Sequence, residues 1–137
     1  MNKEVLDRFI DKMPWIKRSS KGLAMTFNVL IKKEDDIYMA HCLELDIVAT
    51  GDTEDQVRKD IASLISTQVD YAFSNDNLEN LYHPAPAEVW QEFFSCKKQT
   101  EERYKTESFL NKDQSSRNII PHWIITNTCR APATYHV

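Results

Sequence analysis

The stretch Thr26-Phe27-Asn28-Val29-Leu30-Ile31, continuing through Lys33-Glu34-Asp35-Asp36 into Ile37-Tyr38-Met39-Ala40-His41-Cys42, decides how this chain folds. Met25, Phe27, Val29 and Ile31 alternate with Thr26, Asn28, Leu30 and Lys32. A period of two places the first set on one face and the second on the other, which is a strand. Lys33-Glu34-Asp35-Asp36 is a polar turn, and the run from Ile37 to Cys42 is extended again, so the two runs form a β-hairpin. Ile47-Val48-Ala49-Thr50 is short, β-branched and stopped by Gly51, which makes a three-stranded meander the simplest arrangement.

Immediately downstream, Gly51-Asp52-Thr53-Glu54-Asp55-Gln56 opens a helix. Gly51 permits a sharp exit from the strand. Thr53 and Gln56 have capping-box spacing, so each side chain is expected to satisfy an amide of the other. Loss of the cap would cost about 1 kcal/mol. Glu54 and Asp55 place negative charge against the positive end of the helix dipole. Val57, Ile61, Leu64, Ile65, Val69 and Ala72 then recur at three- and four-residue steps, an apolar stripe that must cover one face of the sheet.

Working outward, Leu6, Phe9, Ile10 and Met13 mark a short N-terminal helix ended by Pro14, and Trp15 to Gly22 is a basic connector expected to be a solvated loop. Ser74 to Pro86, rich in Asn, Asp and Pro, is a long loop, with Pro86 suited to the first position of another helix. Val89, Trp90, Phe93 and Phe94 crowd one side of that helix, as a buried stripe rather than a base-stacking platform, and the helix continues polar from Lys97 to Thr106. Asn118 to Thr128 suits a closing strand, which Pro121 confines to a sheet edge or to the beginning of the strand. The expected fold class is α+β: a three- to four-stranded, mostly antiparallel sheet packed by one long helix. It forms a single domain over 1–137, made of an N-terminal helix and connector (1–22), a β-β-β-α core (23–80) and a C-terminal helix and edge strand (81–137).

At 137 residues, 42% hydrophobic and 28% charged with two glycines, the chain matches one globular core and excludes collagen-like or low-complexity classes. No apolar run approaches the ~20 residues that span a bilayer. The opening residues mix charges of both signs without an apolar segment, so a cytoplasmic location is expected. Cys42, Cys96 and Cys129 are odd in number and widely spaced, which points to reduced thiols. The net charge of −4 conceals an asymmetry: residues 34–80 hold twelve acids against Arg58 and Lys59, a local −10. Such a block attracts a basic partner and repels phosphate backbones.

From about Ala24 to Phe73 the chain resembles the HicB antitoxin family. The features that carry the resemblance are Thr26 to Ile31, the acidic turn Glu34-Asp35-Asp36, Tyr38-Met39-Ala40-His41-Cys42 leading to Glu44-Leu45, and Gly51-Asp52-Thr53 opening a helix. The chain departs from the family pattern at Ile37, where glycine is common, and at Leu43 and Asp46, where prolines are customary. The resemblance implies a partial RNase H-like fold of three strands and a helix, extended by a fourth strand. It also implies a partner, a small basic HicA-like toxin that cleaves mRNA. The operator-binding module of many relatives has no visible counterpart in residues 86–137, so DNA binding is not expected.

Glu34, Asp35, Asp36, Glu44 and Asp46 are the candidate partner-binding residues, with Gly51, Thr53 and Gln56 as a structural helix cap. All five acids sit in turns or loops, whereas a metal-dependent nuclease needs carboxylates converging from different elements. The four histidines show no zinc-ligand spacing, and His41 and Cys42, as strand neighbours, point to opposite faces. No cofactor or catalytic residue is expected. The leading expectation is a non-enzymatic antitoxin that docks a basic toxin through an acidic surface. The alternative is a stand-alone homo-oligomeric scaffold, because one helix can cover only one face of the hairpin.

Overall fold

The computed structural model describes residues 16–19, 22–109 and 121–132. The N-terminal helix expected before Pro14 lies outside them, as do residues 118–120 of the closing strand.

Alternation and turn chemistry build the meander as expected. Strands β1 (Ile16–Ser19), β2 (Gly22–Glu34), β3 (Ile37–Cys42) and β4 (Ile47–Gly51) lead to helix α1 (Glu54–Ser74), and α2 (Ala87–Phe94), β5 (Gln99–Lys105) and β6 (Trp123–Arg130) follow. The β2–β3 register closes on Glu34 opposite Ile37, leaving Asp35 and Asp36 as a two-residue turn with φ of 50° and 65°. Two successive left-handed residues match the twist of the flanking strands, and aspartate tolerates that region better than most side chains.

Where the sheet differs from expectation is in its width and its middle. Five strands lie in the order β4-β3-β2-β6-β5, and β1 adds a sixth along the beginning of β2, so the expected three or four strands are too few. The sheet is mixed, because β6 runs parallel to β2 from Ala24 opposite Trp123 to Ile31 opposite Arg130. The closing strand is therefore interior and not an edge; it begins two residues after Pro121, so the missing amide falls outside the ladder. Residues 16–19 of the basic connector are a strand, not a loop. Gln99–Lys105, expected as polar helix, is a strand that pairs with the outer edge of β6. The helix before it stops at Phe94.

The core fills both sides of this sheet. Met25, Phe27, Val29 and Ile31 of β2 meet Val57, Ile61, Ile65, Val69 and Ala72 of α1, all buried. Leu64, expected in that stripe, is instead exposed. On the opposite face α2 packs Phe93 against Leu30, Leu43, Ala85 and Cys129, a second and smaller core. The helix is preceded by Pro86 as its cap and not as its first residue. Phe93 is buried but Phe94 is exposed and stacked on Trp90 at 5.8 Å, so the aromatic stripe divides. Adjacent helical residues are ~100° apart, and a two-turn helix on a sheet buries only one of them.

Cys96 and Cys129 are joined by a disulfide, which corrects the expectation of reduced thiols; Cys42 is the free, buried cysteine. The physical reason is the β5–β6 pairing. Gln99 lies opposite Cys129, which brings a residue just before β5 close to it across 33 positions of sequence, with Cα atoms 6.0 Å apart. Burial pushes the Cys42 thiol well above the ordinary cysteine range, aided by Glu44 nearby, so it packs as a small apolar group.

Candidate functional site

The five nominated acids do not form one patch. Glu34, Asp35 and Asp36 sit at the hairpin tip, whereas Glu44 and Asp46 lie in the β3–β4 turn at the other end of β3. A six-residue strand separates the two groups by roughly 20 Å.

Glu44 cannot meet a partner, being only 5% exposed. Its carboxylate accepts from the Asn28 backbone N–H and from Asn28 Nδ2, each at 2.7 Å. β1 reaches only Met25 along this edge of β2 and β3 begins only at Val29. Glu44, together with the Leu43 N–H that donates to the Asn28 carbonyl at 2.9 Å, occupies the gap between them. The turn thus supplies side-chain and main-chain partners where no strand runs. Burial raises the pKa of Glu44, and the hydrogen bonds from Asn28 offset part of that rise. Asp46, also left-handed at φ 53°, is exposed but engaged with His41 Nε2 at 2.6 Å. His41 and Cys42 do face opposite ways, His41 to this pair and Cys42 into the core.

At the hairpin end the picture is different. Tyr38 lies opposite Gly51, so the β-ladder carries the tip of the hairpin next to the start of α1. Glu34, Asp35, Asp36, Asp52 and Asp55 are all exposed there, and none makes an ion pair among the described residues. Glu54 is set apart from them. It takes a bidentate pair from Arg130, with Nε and Nη2 each at 2.6 Å, and a bond from Arg58 Nε at 3.3 Å. The Arg130 hydrogen bond, with help from Arg58, holds its carboxyl below the usual range.

The cap forms in one direction only. Thr53 Oγ1 accepts from the Gln56 N–H at 3.1 Å, while Gln56 Nε2 donates forward to Asp60 at 2.8 Å and not back to Thr53. A Cβ at Gly51 would stand 3.2 Å from Val57 Cγ1, so what glycine supplies is room for the helix to approach the strand end.

The face of β3 and β4 that α2 leaves uncovered carries Ile37, 51% exposed beside the acidic end, and Val48, 44% exposed opposite His41 toward the other end of β3. At the Ile37 end of this face, a depression of about 270 Å³ is lined by Lys32, Glu34, Asp35, Ile37, Met39 and Thr50. β4 is the edge strand. Asp52, Asp55, Ile37 and Val48 were not among the residues nominated from sequence. The signal that finds them is register: once the meander is accepted, its turn lengths fix Gly51 beside Tyr38.

Among the described residues no group of three or more His, Cys, Asp or Glu could hold a metal ion, and no helix is long and apolar enough to cross a membrane. Against known protein families, curated proteins and solved structures, the chain has no match.

Proposed function

We propose that the chain is a HicB-like antitoxin, or a binding protein derived from one, that docks and neutralises a small basic HicA-like toxin. The observation that carries this reading is the convergence of five exposed carboxylates from the hairpin tip and the α1 start beside the exposed Ile37. Opposite charge steers the encounter, and an apolar centre beside a charged rim supplies affinity. A second support is topological. Beyond α1 the chain passes through the outer strand β5 and returns in β6, which lies parallel beside β2 and extends the meander by a further strand, as the resemblance to a partial RNase H-like core implies.

The test is capture of the product of a short, basic reading frame adjacent to the gene, with relief of its toxicity on co-expression. A triple variant Glu34→Gln, Asp35→Asn, Asp36→Asn removes the tip charges and keeps a side chain that tolerates the left-handed turn. It is expected to bind about tenfold more weakly or worse, mainly through slower association, and the wild-type affinity should fall with added salt. Absence of any complex, or a triple variant that binds as tightly as wild type, would remove the proposal.

The oligomeric-scaffold reading also has an observation in its favour, since exposed Val48 lies on the edge strand. Two such edges can pair about a twofold axis. Light scattering at micromolar concentration decides it: a strictly monomeric mass counts against self-association.

A further inference from the structure

We infer that the cleft formed by the end of α2, the start of β5 and the end of β6 binds a phosphate monoester, a small organic molecule bearing a terminal phosphate. The cleft is about 640 Å³, and its lining includes Arg58, Lys97, Lys98 and Arg130 together with the hydroxyl residues Thr100 and Thr128. No carboxylate lines it, in a chain whose net charge is −4. Thr100 and Thr128 are cross-strand partners, so their side chains leave the same face of the β5–β6 pair.

The local charge balance selects the ligand. Behind the lining, Glu54 takes Arg130 bidentately and also Arg58, and Arg58 Nη1 bonds Glu102. These two carboxylates orient the two arginines and offset their charge. Lys97 and Lys98 are exposed and make no ion pair among the described residues, so four cations stand against two acids. The surplus of two positive charges suits a phosphate monoester, which carries about −1.5 to −2 near neutral pH. Arginine and lysine with neighbouring hydroxyls are the donors such a group needs. The volume exceeds what a phosphate alone fills and lies within the range of small-molecule pockets, leaving room for an organic body against Pro132 and the Cys96 sulfur. No aromatic ring lines the cleft, so it lacks the stacking platforms of single-stranded nucleic acid grooves. The lysines directly follow Cys96, whose bond to Cys129 ties this connection to β6.

The site adjoins the acidic hairpin end through Glu54, and its test changes only Lys97 and Lys98, leaving the carboxylates of that end untouched. The full chain, isotope-labelled, is titrated at low salt with ribose 5-phosphate, with adenosine 5′-monophosphate and with inorganic phosphate, following amide shifts. Both monoesters are expected to move the amides of residues 97–100 and 128–130, with inorganic phosphate moving the same set more weakly. Lys97→Ala/Lys98→Ala, two surface changes, should weaken monoester binding about tenfold or more. The inference is overturned if no shift appears at millimolar ligand, if the double variant binds unchanged, or if a single-stranded RNA oligomer occupies these residues at lower concentration than either monoester.

Discussion

Replacing Cys96 by serine is expected to lower unfolding stability by about 3–4 kcal/mol, the largest effect predicted for any single exposed or half-buried position. The disulfide closes a 33-residue separation, and cross-linking a loop of that size removes chain entropy from the unfolded state by roughly that amount. The variant leaves Cys129 as a thiol in the small core with Leu30, Leu43 and Phe93, so the loss measures the cross-link and not a cavity. Urea unfolding with and without reductant is the check. Reductant should bring wild type down to the level of the variant and leave the variant unmoved. Equal wild-type stability under both conditions would mean that the two sulfurs are not bonded in solution. The result also bears on location, since such cross-links persist in oxidising compartments and are rare in the cytosol. The expectation of a cytoplasmic protein cannot lean on reduced cysteines.

Substituting Glu44 by alanine is expected to cost about 2–3 kcal/mol. Two hydrogen bonds to a charged acceptor disappear and leave the Asn28 N–H without its partner, while relief of a buried carboxylate returns part of the loss. The same residue predicts a pH dependence. Burial raises its pKa above the ordinary 4.5, so the folded state holds the proton more tightly than the unfolded state does. Stability therefore declines as pH rises through the interval between 4.5 and the raised value. Glu54 acts in the opposite sense. Arg130 and Arg58 lower its pKa, so its contribution is present above 4.5 and lost as pH falls through the lowered value. Denaturation midpoints measured from about pH 2 to pH 7 for wild type and Glu44→Gln separate the two. The Gln variant should lose the decline on the rising side and keep the acid loss. Parallel profiles for the two proteins would show that Glu44 is not held as the structure places it.

Much of the acidic hairpin end was legible because its parts are local. The tip is two aspartates between alternating strands, and the helix start is a threonine followed by acids, so each is specified within about six residues. Glu44 was not legible. Its neighbours Leu43 and Leu45 are apolar and buried, which hinted at an inward turn, but the vacancy it fills exists only because β1 and β3 stop short of each other along β2. The basic cleft was hidden for a related reason: Arg58, Lys97, Lys98 and Arg130 come from three separate places in the chain, Arg58 from within the acidic 34–80 block, so no basic run marks them.

By itself the sequence determined β2, β3, β4, the turn between the first two, and the capped helix with its buried stripe, because period, cap and turn residues act over a few neighbours. Tertiary structure alone decided that β6 enters the sheet beside β2 and that Gln-Thr-Glu-Glu-Arg-Tyr-Lys over 99–105 becomes a strand. That segment has no apolar alternation to announce it. It is extended because the outer edge of β6 presents unpaired N–H and C=O groups that a neighbouring chain segment satisfies. A demand of that kind is written in the partner strand and not in the segment that answers it.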